Sequence, residues 1–110
     1  MSNDRNIELV KQLLQKAGVV IHPKSEGFMV YAYRNGKQYE TFVCSWLGSN
    51  LTVLISIDGK ANLKKSTKIV KGIFGKQFAV HHLADYPLDG KQANYFSCEF
   101  LHCGQDGKQS

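Results

Sequence analysis

Ile7, Val10, Leu13, Leu14 and Ala17 recur every three or four positions, with Glu8, Lys11, Gln12, Gln15 and Lys16 between them. That period predicts an amphipathic helix over residues 4–17, capped by Asn3 or Asp4 and ended by Gly18. A short extended run, Val19-Val20-Ile21, stops at His22-Pro23, and residues 24–27 read as a loop. The period then changes to two. Residues 28–34 and 37–46 form a hairpin around Asn35-Gly36, a dipeptide suited to the positive φ angles of a type I′ turn. Pairing Arg34 with Lys37 sets Ala32 opposite Tyr39 and Tyr31 opposite Glu40. One face then carries Phe28, Val30, Ala32, Tyr39, Thr41 and Val43, and the other carries Met29, Tyr31, Tyr33, Gln38, Glu40, Phe42, Cys44 and Trp46.

Beyond a turn at Gly48-Ser49-Asn50, the β-branched run of residues 51–57 predicts another strand, closed by Asp58-Gly59. Helical spacing returns over residues 62–74, with Leu63, Thr67, Val70, Ile73 and Phe74 on one arc, Ile69 at its edge, and Gly75 as terminator. Residues 78–83 and 94–103 read as two more strands, separated by the turn-rich link of residues 85–90, and 104–110 reads as a frayed polar tail. The order predicts one α+β domain over residues 1–110: a mainly antiparallel sheet of five to six strands, with an N-terminal helix and a second, lysine-rich helix packed on it.

Charge changes this picture at one place. Lys60, Lys64, Lys65, Lys68, Lys71 and Lys76 lie between Gly59 and Phe78 with no acid among them, and they exceed the whole net charge of +5. The remaining 8 basic and 9 acidic residues nearly cancel. At 100° per residue Lys64, Lys68 and Lys71 fall in a narrow stripe beside the apolar arc. An exposed helix ordinarily interleaves glutamate with lysine, so an unneutralised stripe points to a polyanion, nucleic acid above all, or to an acidic protein. Arg5 and Arg34 are the only arginines. Lysine acts as a flexible point charge, whereas arginine reads bases with a rigid fork, so backbone contacts with weak sequence preference are expected.

Aromatic side chains are the second constellation. Tyr31 and Tyr33, beside Glu40 and Gln38 on the hairpin, would serve as a stacking platform for bases, as a dimer patch, or as the second face of a sandwiched sheet, and with Tyr39 they make up the interaction surface of a protein-binding module, homodimer or inhibitor. Cysteine and histidine are the third. Cys98 and His102 share a strand face within reach of His81 or His82, which are soft ligands suited to zinc, but the spacing matches no tight metal motif and Phe96 and Phe100 mark that face as core. Cys44, between Phe42 and Trp46, reads as a buried thiol. Neither a phosphate loop nor a nucleophile elbow occurs, and no carboxylate pair has a spacing that forces proximity, so neither cofactor nor catalytic residue is assigned. A small-ligand pocket or an enzyme using Cys98, His102 or His81 stands as the remaining alternative. Three cysteines, the lack of a charged-then-apolar leader, and the lack of an apolar run near the roughly 18 residues that span a bilayer together give the expectation of a cytoplasmic protein with no membrane partner.

Leu63-Lys64-Lys65-Ser66-Thr67-Lys68, following a helix and strands, resembles the double-stranded RNA-binding domain, whose second helix opens with a Lys-Lys-x-x-Lys pattern aimed at phosphates. Over residues 4–74 that resemblance implies that Lys64, Lys65 and Lys68 span phosphates while the first helix meets a minor groove. The chain departs from the family at Leu63, where a capping serine is usual, in an extra strand, and in the two strands after the helix. Residues 52–79, with Asn62-Leu63-Lys64-Lys65, also resemble a segment of the prolyl-tRNA-synthetase-associated editing domains. The catalytic lysine motif and closing loop of those domains have no counterpart here, so no editing activity follows. Neither resemblance assigns a family.

Overall fold

The computed structural model describes residues 2–25, 27–48, 50–88 and 90–101. Glu26, Ser49, Asp89, the expected final-strand residues His102 and Cys103, and the tail of 104–110 lie outside the described residues. The chain runs α1 (Ser2–Lys16), β1 (Val20–Ile21), β2 (Met29–Asn35), β3 (Tyr39–Leu47), β4 (Asn50–Ile57), α2 (Leu63–Phe74), β5 (Phe78–Leu88) and β6 (Lys91–Phe100). Its six strands form one antiparallel sheet in the order β1-β2-β3-β4-β6-β5. This is the α+β architecture read from the sequence.

Both helices pack on one face of the sheet, α1 over β1 to β3 and α2 over β4 to β6. Helix α1 buries Ile7, Val10 and Leu14, the spacing that marked it in the sequence. It begins at Ser2, so Asn3 and Asp4 stand inside its first turn rather than at its cap. Its other end is closed as expected: Gly18 takes φ +83°, its N–H donates to Gln15 O, and the Val19 N–H donates to Leu14 O at 3.0 Å. That pair of bonds is a Schellman motif, which glycine makes inexpensive. The Arg34 guanidinium then ties sheet to helix, donating from Nη1 to Ala17 O at 2.9 Å and from Nε to Glu40 Oε1 at 2.7 Å.

Strands β2, β3, β4 and β6 send Val30, Ala32, Phe42, Cys44, Trp46, Val53, Ile55, Phe96 and Cys98 into this core. Phe42, Phe74, Phe78 and Phe96 are fully buried. Each contributes roughly 1.5–3 kcal/mol through the hydrophobic effect. At the C-terminal end of α2 the aromatic rings interlock, with Phe78 stacked on Phe100 at 4.7 Å and edge-on to Phe74 at 6.0 Å.

Three sequence expectations need correction. The β2–β3 hairpin closes at Asn35↔Tyr39 around Gly36-Lys37-Gln38, so Arg34 pairs with Glu40 and Ala32 with Phe42. Neither Asn35 nor Gly36 takes a positive φ; that conformation occurs instead at Asp58 (φ 52°) and Gly59 (φ 76°), where Ile57 and Lys60 exchange both backbone bonds across a two-residue turn. The shift is odd, so it moves Tyr39, Thr41 and Val43 away from the face of Val30 and Ala32. In α2, Leu63 is exposed and Ser66 is buried in its place. Finally, residues 85–88 are strand: β5 continues through an irregularity between His82 and Ala84 and tolerates Pro87 because it is an edge strand.

The register sets an expected order of stability losses. Phe42→Ala, on the covered face, should cost about 3–5 kcal/mol in urea unfolding, and Val43→Ala, one residue on, about 1 kcal/mol. Equal losses, or the reverse order, would contradict the register.

Candidate functional site

Helix α2 starts where Asn62, in an extended conformation, accepts the Lys65 N–H on its side-chain oxygen at 3.2 Å. Ser66, Val70 and Phe74 face the core, which turns Lys64, Lys68 and Lys71 outward. Those three lysines, with Lys60, Lys65 and Lys76, are all exposed. Among the described residues the ion pairs are Arg34–Glu40, His81–Glu99 and His82–Asp85, none of which involves these six. Lys65 Nζ donates to the Gln38 side chain at the β2–β3 tip, at 2.7 Å. The first turn holds no acid, so Lys64 and Lys65 sit at the positive end of the helix dipole, while Lys71 occupies the favourable last turn. Like charges and dipole therefore act together against this end of the helix, and a bound anion would offset both.

On the opposite face of the sheet no layer of the described residues covers the tyrosines. A cleft of about 470 Å³ opens there instead. Tyr31 and Tyr33 from β2, Tyr39 from β3 and Tyr86 from β5 line it, and Val43 and Leu54 form part of its floor. The Tyr33 and Tyr39 rings lie 6.2 Å apart, and Tyr86 is 5.9 Å from Tyr95. Lys24 enters from the β1–β2 turn with its ammonium 4.5 Å from the centre of the Tyr31 ring. Lys91 enters from the start of β6. Ser25 holds this corner, its hydroxyl bonding both the N–H and the carbonyl of Tyr31 at 2.8 and 3.0 Å. No described residue lining the cleft is acidic.

No family model, curated protein or solved structure matches the chain. The resemblance to double-stranded RNA-binding domains thus stays with the lysine pattern at the head of α2. The architecture extends that pattern differently, because β5 and β6 follow α2 and β6 lies between β4 and β5.

Among the described residues the cysteine and histidine side chains form no ligand cluster. Cys98 is fully buried on the helix side, whereas His81 pairs with Ser97 on the other side of the sheet. His102 lies outside the described residues, and no group of three metal-ligating side chains occurs among the described ones. His82 approaches Asp85 at 3.4 Å, and Asp85 accepts a bond from Asn94 Nδ2 at 2.7 Å. Sequence reading passed over Tyr86, Lys24 and Lys91, having assigned the first two to a link and a loop. The signal for Tyr86 was its period-two spacing from Ala84 along an edge strand, obscured by Pro87.

Burial raises the Cys44 thiol far above its ordinary range, with the nearby Cys98 adding to the effect, and burial pushes Cys98 up to about 12. Folded thiols therefore stay protonated where unfolded ones ionise, so their contribution is present below about pH 8.5 and is lost as pH rises above it. In iodoacetamide labelling at pH 8 with peptide mapping, Cys44 and Cys98 should stay unmodified until guanidinium unfolds the protein. Between about pH 9 and 11, stability of the wild type should fall more steeply than that of a Cys44→Ala/Cys98→Ala variant, by up to about 1.4 kcal/mol per pH unit per thiol. Native labelling, or equal slopes, would contradict this burial.

Proposed function

We propose that this protein binds nucleic acid, RNA first, through backbone phosphates held by Lys64, Lys65, Lys68 and Lys71, with Lys60 and Lys76 at the margins. What supports the reading is one observation: six exposed lysines on and around a single helix, without an ion-pair partner among the described residues. Each phosphate that replaces a condensed counterion releases it, which makes the affinity large at low salt and steeply salt-dependent. Without an arginine on this helix, discrimination among base sequences is weak.

A reducing cytoplasm is the compartment that fits this reading. Cys44 and Cys98 are free thiols, and no helix among the described residues is long and apolar enough to cross a membrane.

Binding to mixed RNA and to heparin, followed by fluorescence anisotropy across a salt series, tests the proposal. Lys64→Gln/Lys68→Gln/Lys71→Gln should lower the magnitude of the log–log salt slope by about 2 for single-stranded RNA and weaken binding at every salt concentration. Because these positions are exposed, the unfolding free energy should stay within about 0.5 kcal/mol of wild type. An unchanged slope would exclude the ridge as the contact, and binding confined to an acidic protein would exclude nucleic acid as the partner.

A further inference from the structure

We infer that the tyrosine cleft on the uncovered face of the sheet is a second contact for the same polymer, one that takes unpaired nucleotides by stacking their bases on Tyr31, Tyr33, Tyr39 and Tyr86. This rests on the proposed nucleic-acid reading and narrows it from polyanion to single strand.

The chemistry of the lining selects the occupant. Four phenol rings on an apolar floor favour a flat, π-rich group, and a base presents such a face only when it is not stacked in a duplex. Tyr39 and Tyr86 are 41% and 49% exposed, so two of the rings offer large apolar faces to solvent. Lys24 and Lys91 add two cations and no described lining residue adds an acid, so a cationic guest is disfavoured and an anionic one favoured. Aromatic face plus negative charge describes a nucleotide.

Geometry then separates a strand from a single nucleotide. Lys24 stands over Tyr31 of β2, while Lys91 opens β6. Strands β3 and β4 lie between β2 and β6 in the sheet. At ~4.8 Å per strand spacing β2 and β6 lie roughly 14 Å apart across the sheet, a span that one phosphate cannot bridge and successive phosphates can.

The cleft also connects to the lysine ridge. Lys65 of α2 bonds Gln38 at the β2–β3 tip, and the next residue, Tyr39, lines the cleft. One strand would pass from the phosphate contacts of α2 round this tip and lay its bases on the tyrosines. A rigid duplex that met α2 would not follow that turn.

Affinities for a short oligouridylate, a duplex RNA of the same length, uridine monophosphate and heparin, measured at one salt concentration, test the inference. The oligouridylate should bind at least about tenfold tighter than the duplex and far tighter than uridine monophosphate. Tyr39→Leu and Tyr86→Leu should each lose about tenfold in oligouridylate affinity, an amount within the range measured for base–aromatic stacking. Tyr39→Phe and Tyr86→Phe should retain it. Heparin, which has no bases, should bind all four variants like wild type. Leucine variants that keep full oligouridylate affinity, or duplex binding equal to single strand, would overturn the cleft while leaving the ridge standing. Uridine monophosphate binding as tightly as the oligomer would replace the strand site with a mononucleotide pocket. Loss of heparin binding in wild type would instead remove the ridge on which both readings rest.

Discussion

The alternation of side chains across β2 and β3 is the constraint from which the core and the cleft both follow. Each strand residue commits to one face, and the Gly36-Lys37-Gln38 loop fixes which pairs oppose each other. With Asn35 opposite Tyr39, the helix side receives Val30, Ala32, Phe42, Cys44 and Trp46 in one continuous apolar patch. Tyr31, Tyr33 and Tyr39 then leave on the other side together. A slip of one residue in β2 would drive Tyr31 and Tyr33 under α1, and one in β3 would leave Phe42 in water, so burial of one face holds the other in place. The Arg34 bonds to Glu40 and to the Ala17 carbonyl just past α1 secure the same register from the helix side.

Helix α2 divides its labour by face in the same way. Ser66, Val70 and Phe74 anchor it to the sheet, and this apolar anchoring carries the unfavourable electrostatics of four closely spaced lysines, two of them at the wrong end of the dipole. Repulsion between solvated ammonium groups is small beside the burial of Phe74, which is why the helix forms with its lysines unneutralised. Under the proposed function the same repulsion would favour binding, because an anion would relieve it. The asymmetry of hydrophobic residues along the chain is a statement about fold, and under the proposed function the asymmetry of charge is one about association.

The sequence made the architecture legible because both helices and four of the six strands carry clean periods. The Schellman end at Gly18 and the cap at Asn62 are local events, set by residues close in sequence. The hairpin register was not legible. Asn35-Gly36 and Asp58-Gly59 are both favoured turn dipeptides, and which one adopts positive φ depends on how the whole sheet covers its core. Leu63 was misplaced because one apolar residue at the head of a helix fits the pattern whether or not anything covers it. The ridge could be read directly from composition, whereas the cleft could not: Tyr86 and Lys91 come from distant segments and meet Tyr31, Tyr33 and Tyr39 because β6 folds back between β4 and β5, while the β1–β2 turn brings Lys24 over Tyr31.

Chemical-shift mapping of isotope-labelled protein titrated with a short oligouridylate gives the most direct view of whether ridge and cleft act as one surface. Ring resonances of Tyr31, Tyr33, Tyr39 and Tyr86 and amides of residues 64–71 should move together and saturate with a single dissociation constant. Shifts confined to the exposed β5 edge, or tyrosine and lysine resonances that saturate separately, would contradict a common path for one strand.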